Sequence, residues 1–140
     1  MDNTESAIIA DFEEKCFPSE PWSFESVRST LEREDIFFKI LFDEEDDPLG
    51  YFIAASSFEE AELYRIAVLP SYRRSGFGMR LMEDFLNSCP KEVKKIFLEV
   101  RESNTAAVKL YEKSGFEIIS RRKNYYGNED GLIYCLTLKE

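Results

Sequence analysis

The middle of the chain alternates between two hydrophobic patterns, and this alternation restricts the fold more than any other feature of the sequence. The segments 60–70 (EAELYRIAVLP) and 93–101 (VKKIFLEVR) predict two strands. Between them, Phe77, Leu81 and Phe85 recur every four residues, which predicts an amphipathic helix. Because strands that are joined through a helix pair in parallel, the sequence predicts a layered α/β sheet with parallel pairing at its centre.

Further elements are predicted on both sides of this unit. The predicted order is helix, helix, three strands, helix, strand, helix, two strands, in one domain that spans residues 1–140. The hairpins at the two ends predict antiparallel pairing there, so the central sheet is mixed and flanked by helices. Ser23 is predicted to cap the start of the second helix, and Ser103 or Asn104 is predicted to cap the start of the last helix. Gly115 is predicted to follow the end of that last helix. Outside the central unit, the predicted helices lie in segments 4–17, 21–34 and 103–115. The predicted strands lie in segments 35–42, 49–56, 116–126 and 131–139.

The amino-acid composition argues against several kinds of catalytic site. The chain has no histidine, which excludes Ser-His-Asp and Cys-His catalysis and disfavours a catalytic zinc site, so we expect no metal. Proton transfer in an enzyme of this composition falls to carboxylates, tyrosines, lysines or water. The three cysteines lack CxxC spacing, which indicates reduced thiols.

Charge and hydrophobicity indicate the compartment and the kind of partner. The net charge of −10 disfavours nucleic acid and anionic membranes and favours a basic partner. No apolar run approaches the roughly 20 residues of a membrane span. The acidic N-terminal segment lacks the pattern of a signal peptide, so we expect a cytoplasmic protein.

A glycine-containing turn precedes the central helix. Gly76 and Gly78 follow Arg73 and Arg74 at the predicted start of this helix. The first backbone N–H groups of a helix have no partner inside it and bind anions well, and glycine lets an anion approach them. The pattern is neither a Walker loop nor a Rossmann motif. The residues alone leave two readings open, an anion-binding loop and a strand-to-helix turn that simply needs glycine.

The same turn carries a resemblance to a known family. Residues 73–78 match the R/Q-x-x-G-x-G/A signature of the GCN5-related N-acetyltransferase (GNAT) superfamily. Residues 66–72 (IAVLPSY) resemble the family's preceding strand and turn, and residues 98–116 its N-x-x-A-x-x-x-Y-x-x-x-G-F spacing. Within the superfamily, residues 64–138 are most similar to the bacterial ribosomal-protein-alanine N-acetyltransferases (RimI type). A typical member opens with a strand, so we expect the first strand to be short or missing here.

The resemblance implies acetyl-CoA as the donor. Its pyrophosphate would lie on the backbone N–H groups of residues 74–79, and its pantetheine arm would run beside the strand at 66–68. Asn104 would hold the arm from the other side. The implied cofactor-binding residues are Ile66, Ala67, Val68, Arg73, Arg74, Ser75, Gly76, Phe77, Gly78, Met79 and Asn104.

The resemblance also implies two catalytic residues. Glu99 would act as the base that takes a proton from the acceptor amine, through a water, and Tyr111 as the acid that protonates the CoA thiolate. Read without the resemblance, Glu99 could instead be a strand-end carboxylate paired with a cation such as Arg101. Tyr111 could be a core aromatic, a role that is compatible with use of its hydroxyl.

The acceptor implied by the resemblance is a protein N-terminus. Phe17, Pro18, Trp22, Tyr125 and Tyr126 would hold it, although the tyrosine pair could equally serve sheet packing. The expected acceptor is the N-terminal alanine of a small-subunit ribosomal protein, a basic partner, and the enzyme is expected to be a monomer. The alternatives are a small amine, a polyamine or a lysine side chain as acceptor, and a CoA-binding module without catalysis.

Overall fold

The computed structural model describes residues 3–73 and 75–138. Within these ranges it contains four α-helices, six strands and one 3-10 turn, in the predicted order. The elements are α1 Thr4–Cys16, α2 Phe24–Leu31, β1 Ile36–Phe42, β2 Pro48–Ser57, β3 Glu60–Val68, the 3-10 turn Pro70–Tyr72, α3 Phe77–Ser88, β4 Lys95–Arg101, α4 Thr105–Lys113, β5 Glu117–Arg122 and β6 Gly131–Thr137. In the described range only Asn3 lies before α1. In the same described ranges, no helix has the length and hydrophobicity needed to cross a membrane.

The six strands form one mixed sheet in the order β1-β2-β3-β4-β6-β5. Strands β3 and β4 pair in parallel, and the other neighbours are antiparallel. The prediction of a parallel centre with antiparallel hairpins at both ends is therefore confirmed. This mixed α/β sheet flanked by helices also confirms the predicted fold class.

Local signals explain where the helices begin and end. The Ser23 hydroxyl accepts the Ser26 N–H at 3.1 Å at the start of α2. The Asn104 side chain accepts the Ala107 N–H at 3.2 Å at the start of α4, which selects Asn104 over Ser103 as the cap. Gly115 follows α4 with φ +98°, a left-handed conformation that glycine adopts without strain.

Hydrophobic clusters lie on both faces of the sheet. Residues of α3 and α4 pack on one face, in a cluster that includes Leu81, Phe85 and Phe52. Residues of α1 and α2 pack on the other face, where Phe12 stacks on Tyr51 with ring centroids 5.3 Å apart. The sheet is thus the middle layer of three.

Strands β3 and β4 separate along their length. They pair only where Glu60–Glu62 meets Lys95–Phe97, although β3 runs on to Val68 and β4 to Arg101. The β2–β3 register shifts at Tyr64, which is left without a partner as a β-bulge, and bulges bend the strand that carries them. The sheet therefore opens between the C-terminal ends of its two parallel strands, where α/β sheets commonly bind ligands.

Candidate active site

A cavity of about 250 Å³ occupies this opening. Strands β3 and β4 supply its floor, α4 one side, and the segment between α1 and α2 another side. The residues that line it are Cys16, Phe17, Pro18, Ser19, Glu20, Tyr64, Arg65, Ile66, Glu99, Val100, Arg101, Asn104, Ala107, Tyr111 and Tyr126. The cavity thus brings together the two predicted catalytic residues, three of the predicted acceptor residues, and Ile66 and Asn104 from the predicted donor set.

Glu99 lines this cavity, and one of its carboxylate oxygens has no hydrogen-bond partner among the described residues. Its side chain is 23% exposed, and its Oε2 atom is buried without a hydrogen-bond partner in the described parts of the chain. Glu99 forms an ion pair with Arg122, whose Nε lies 3.6 Å from Oε2, too far for a hydrogen bond. Arg101, the partner considered from the sequence, instead pairs with Glu20 and Glu129. No donor in the described parts of the chain therefore occupies the lone pairs of Oε2.

The charge of Glu99 affects its neighbours. Burial, followed by the charge of Glu99, raises the pKa of the Glu62 carboxyl. The same two causes, in the same order, raise the pKa of the Tyr126 phenol. Glu99 is therefore close enough to act electrostatically on both groups, and a carboxylate at this place attracts a protonated amine.

Tyr111 is both a core residue and a cavity residue. It is 7% exposed and packs against Phe116 and Tyr134, with ring centroids 5.9 and 6.4 Å away. Burial raises the pKa of its phenol, so the hydroxyl keeps its proton at neutral pH. The two interpretations from the sequence, core aromatic and proton donor, are compatible in this geometry.

The predicted anion-binding loop forms a glycine turn at the start of α3. Gly76 has φ +81°, and a Cβ on it would meet nothing within 4 Å. The side chains beside it are occupied: Phe77 packs on Tyr72, with centroids 6.0 Å apart, and the Met79 sulfur lies 3.6 Å from the Ser114 hydroxyl. The backbone of the first turn is therefore the part of this loop best placed to meet an anion.

The remaining donor-side residues lie on β3 and just after it. Beyond Glu62, the edge of β3 that faces β4 has no strand partner, so Ile66, Ala67 and Val68 lie where an extended ligand could add as a strand. The Arg73 Nε donates to the Val68 carbonyl at 3.1 Å, which ties the glycine turn to the end of β3. The predicted residue Arg74 lies outside the described residues. The turn and the open edge together fit a phosphate-bearing molecule with an extended arm.

The predicted acceptor residues divide into two groups. Phe17, Pro18 and Tyr126 line the cavity, whereas Trp22 and Tyr125 do not. The Trp22 ring lies beside the Arg65 guanidinium, at 5.1 Å, and Tyr125 packs edge-on against Tyr126, with centroids 5.0 Å apart. These two rings support residues that line the cavity.

Sequence reasoning missed a buried charged group behind the cavity. Glu13 is fully buried in α1, and its carboxylate accepts the Trp22 N–H at 2.9 Å and the Tyr51 hydroxyl. Arg65 lies 3.3 Å from the same carboxylate and stacks over Phe17 at 4.2 Å. The available signal was the position of Glu13, four residues after Ile9, which puts a carboxylate on the apolar face of the helix.

The described residues contain no group of three or more Cys, Asp or Glu side chains arranged to hold a metal ion. The polar groups in the cavity are instead single carboxylates, phenols and guanidinium groups. Such groups suit proton transfer and the binding of a charged or polar acceptor.

Comparison with known proteins identifies the family. The sequence matches the model of the Acetyltransferase (GNAT) family over residues 7–116. The ribosomal protein bS18-alanine N-acetyltransferase of Haemophilus influenzae is 38% identical over 112 residues, which are 79% of this chain and 75% of that protein.

Solved structures agree with this result. The crystal structure of the ribosomal-protein-S18-alanine N-acetyltransferase from Escherichia coli gives a TM-score of 0.88 at 31% identity, and the match covers 100% of this chain and 92% of that one. The crystal structure of the NatC complex bound to Gag peptide and CoA gives a TM-score of 0.84 at 25% identity, covering 99% and 93% of the two chains. As residues 73–78 predicted, this chain belongs to the Acetyltransferase (GNAT) family.

Proposed function

We propose that this protein transfers the acetyl group of acetyl-CoA to the N-terminal amine of a protein, and that its acceptor is the N-terminal alanine of a small-subunit ribosomal protein. The observation that carries the proposal is the cavity in which Glu99 and Tyr111 meet between the open edge of β3 and the segment linking α1 and α2. The names of the similar enzymes from H. influenzae and E. coli support the alanine acceptor. The enzyme works as a single-domain monomer in the cytoplasm.

Acetyl-CoA supplies an activated acyl group as a thioester. The first turn of α3, from Gly76 onward, holds its pyrophosphate through backbone N–H groups, and Arg73 and Arg74 add positive charge. Ile66, Ala67 and Val68 hold the pantetheine arm through their backbone while their side chains pack, and Asn104 lies on the other side of the arm. The unpaired β3 edge and the open space around Gly76 support this assignment.

Glu99 and Tyr111 divide the proton transfers between them. An α-amine has a pKa of about 7.7–8.0, so much of it is protonated at neutral pH and cannot attack the thioester. Glu99 accepts a proton from it through a water, and the amine nitrogen then forms a bond to the acetyl carbon. As the carbon–sulfur bond breaks, Tyr111 donates its proton to the sulfur, and the second proton that the nitrogen must lose to become an amide returns through water to the Tyr111 phenolate. Because the raised pKa of Tyr111 keeps its hydroxyl protonated, this donor is available at neutral pH.

Two peptides test the acceptor. One has a free N-terminal alanine followed by basic residues and contains no lysine; the other has a blocked N-terminus and one internal lysine. After incubation with acetyl-CoA, mass spectrometry should find an acetyl group on the first peptide alone. Acetylation of the lysine peptide alone would contradict α-amine specificity, and acetyl-CoA binding without any product would contradict catalysis.

The variant Glu99→Gln tests the base. We expect kcat at neutral pH to fall by about a hundredfold or more, the usual contribution of a positioned general base. The deficit should shrink as the pH rises past the pKa of the α-amine, because the amine then loses its proton without help. The measurement is a pH–rate profile of wild type and variant with the alanine peptide. An equal loss at every pH would contradict the role of Glu99 as a base.

A further inference from the structure

Arg101 connects the two loops on either side of the acceptor end of the cavity. It is the last residue of β4, and its guanidinium pairs with Glu20, between α1 and α2, at 2.5 Å. It also pairs with Glu129, between β5 and β6, at 2.9 Å. We call these three side chains the Arg101 clasp.

Additional contacts hold the clasp to the rest of the site. The guanidinium lies over the ring of Tyr126, 4.1 Å from its centroid, and Tyr126 lines the cavity. The second oxygen of Glu129 accepts the Ser103 N–H at 3.1 Å, just before α4. The clasp therefore orients one aromatic wall of the cavity as well as linking its two loops.

The segment between α1 and α2 is attached to both of the diverging strands. Arg65 of β3 donates to the Glu20 backbone carbonyl at 3.1 Å, and Arg101 of β4 holds the Glu20 side chain. Among the described residues, β3 and β4 do not pair beyond Glu62, and the contacts that Arg65 and Arg101 make with Glu20 cross the opening at this level. The two arginines thus hold Glu20 across the gap in the sheet.

The energetics indicate a role in geometry more than in stability. The side chain of Glu20 is 63% exposed and that of Arg101 31% exposed. Ion pairs this accessible add little to the stability of a fold. What the clasp does determine is the separation of the two loops, since one planar guanidinium donates to carboxylates on both of them.

We propose that Arg101 is a positioning residue, which sets the width of the acceptor entrance by joining the segment between α1 and α2 to the loop between β5 and β6. It acts on the acceptor through Glu20, Glu129 and Tyr126. The donor site at Gly76 is built from other elements and does not depend on it. This inference rests on the proposed function, because it concerns the same acceptor.

The variant Arg101→Met tests the inference against a matched control, Arg121→Met. Arg121 also pairs with two carboxylates, Glu102 and Asp130, and the latter pair, at 2.8 Å, holds the same β5–β6 loop. Arg121 does not line the cavity. Both variants lose a two-carboxylate contact, but only Arg101→Met removes the link across the entrance.

For Arg101→Met we expect the KM for the alanine peptide to rise about tenfold while kcat changes less than about twofold, the pattern of lost ground-state binding. The KM for acetyl-CoA should stay at the wild-type value. Calorimetric titration of the peptide into enzyme saturated with CoA should show the same tenfold weakening. Arg121→Met should leave all of these values unchanged. Equal effects of the two variants on the peptide KM, or no effect of Arg101→Met, would overturn the inference.

A milder variant covers the case in which Arg101→Met does not fold. Glu20→Gln removes one arm of the clasp at an exposed position, and we expect it to raise the peptide KM by about threefold with kcat unchanged. An unchanged peptide KM in Glu20→Gln would also overturn the inference. Failure of the wild-type enzyme to acetylate the alanine peptide would instead count against the proposed function, so the two failures are distinguishable.

Discussion

At the scale of single residues, the position of the Glu99 carboxylate depends on the lack of a side chain at Gly131. A Cβ placed on Gly131 of β6 would lie 2.6 Å from the Glu99 Oε2 and 3.3 and 3.4 Å from the rings of Tyr126 and Tyr125. The first distance is shorter than real Cβ contacts allow. A side chain at 131 would therefore make the Glu99 carboxylate, the end of a flexible side chain, move from this position.

The variant Gly131→Ala should therefore displace the carboxylate of Glu99. We expect kcat to fall by about a hundredfold, the effect of a misplacement of about 1 Å in a reacting group. The KM for acetyl-CoA should not change, because Gly131 does not touch the turn at Gly76. Steady-state kinetics with the alanine peptide measure both values. A variant with wild-type kcat would show that Glu99 does not need its observed position.

At the scale of elements, the start of α3 contains two glycines with different surroundings. Gly76 is left-handed at φ +81°, with open space where a Cβ would be. A Cβ on Gly78 would make an ordinary 3.7 Å contact with Leu110, and Gly78 has no positive φ. Backbone conformation requires glycine at the first position only.

This difference predicts unequal effects of alanine at the two positions. An L-residue in the left-handed region costs about 1–2 kcal/mol, so Gly76→Ala should shift the turn and raise the KM for acetyl-CoA by about tenfold. Gly78→Ala should change it by less than about twofold, because its backbone is that of an ordinary helix. Kinetics at saturating peptide measure the donor KM. Equal values for the two variants would contradict a role of the Gly76 conformation in donor binding.

Helix α1 is attached to the sheet through a buried carboxylate. Glu13 is fully buried and accepts hydrogen bonds from Tyr51 of β2 and from the backbone of Trp22, with Arg65 of β3 as its charge partner. Removal of Glu13 leaves Arg65 without this partner in a largely buried place. The loss of one partner from such a pair is far more costly than the loss of an exposed pair.

We expect Glu13→Ala to lower the free energy of unfolding by about 3 kcal/mol. The control is Asp11→Ala on the same helix, which removes an exposed pair with Lys15 and should cost less than about 0.5 kcal/mol. Urea unfolding of both variants measures the difference. A loss below about 1 kcal/mol for Glu13→Ala would show that Arg65 finds other partners without it.

At the scale of the whole molecule, burial determines the response to alkaline pH. Burial raises the pKa of the Tyr51 and Tyr111 phenols, and it raises the pKa of the Cys89 thiol to about 11. These groups stay protonated in the folded protein at pH values where they ionise in the unfolded chain. Above the unfolded pKa values, the unfolded state therefore binds fewer protons than the folded state.

The free energy of unfolding should consequently stay constant up to about pH 8.5. It should fall as the pH rises through 9 and 10, the range in which cysteine and tyrosine ionise in the unfolded chain. In Tyr111→Phe one titrating group is absent, so the fall above about pH 10 should be less steep than in wild type. Urea unfolding at a series of pH values measures both slopes. Equal slopes for the two proteins would show that the Tyr111 phenol ionises as readily in the folded state as in the unfolded chain.

The sequence by itself determined the type and the order of the elements and the places of the loops between them. The cap at Ser23, a cap of α4 at Ser103 or Asn104, and the glycine Gly115 after α4 were readable, because each depends on contacts within a few residues of the chain. The crossover through α3 likewise required parallel pairing of β3 and β4. Glu99 and Tyr111 were found through the family spacing around the same elements.

The tertiary structure alone decided which side chains meet. It pairs Arg101 with Glu20 and Glu129, and it pairs Glu99 with Arg122. It also buries Glu13 against Arg65, 52 positions along the chain (65 − 13). These choices follow from the bulge in β3, the separation of β3 from β4 and the β4–β6 register, which no local pattern encodes. Partner choice between distant charges is a property of the assembled sheet, because a shift of one residue in register turns every side chain to the other face.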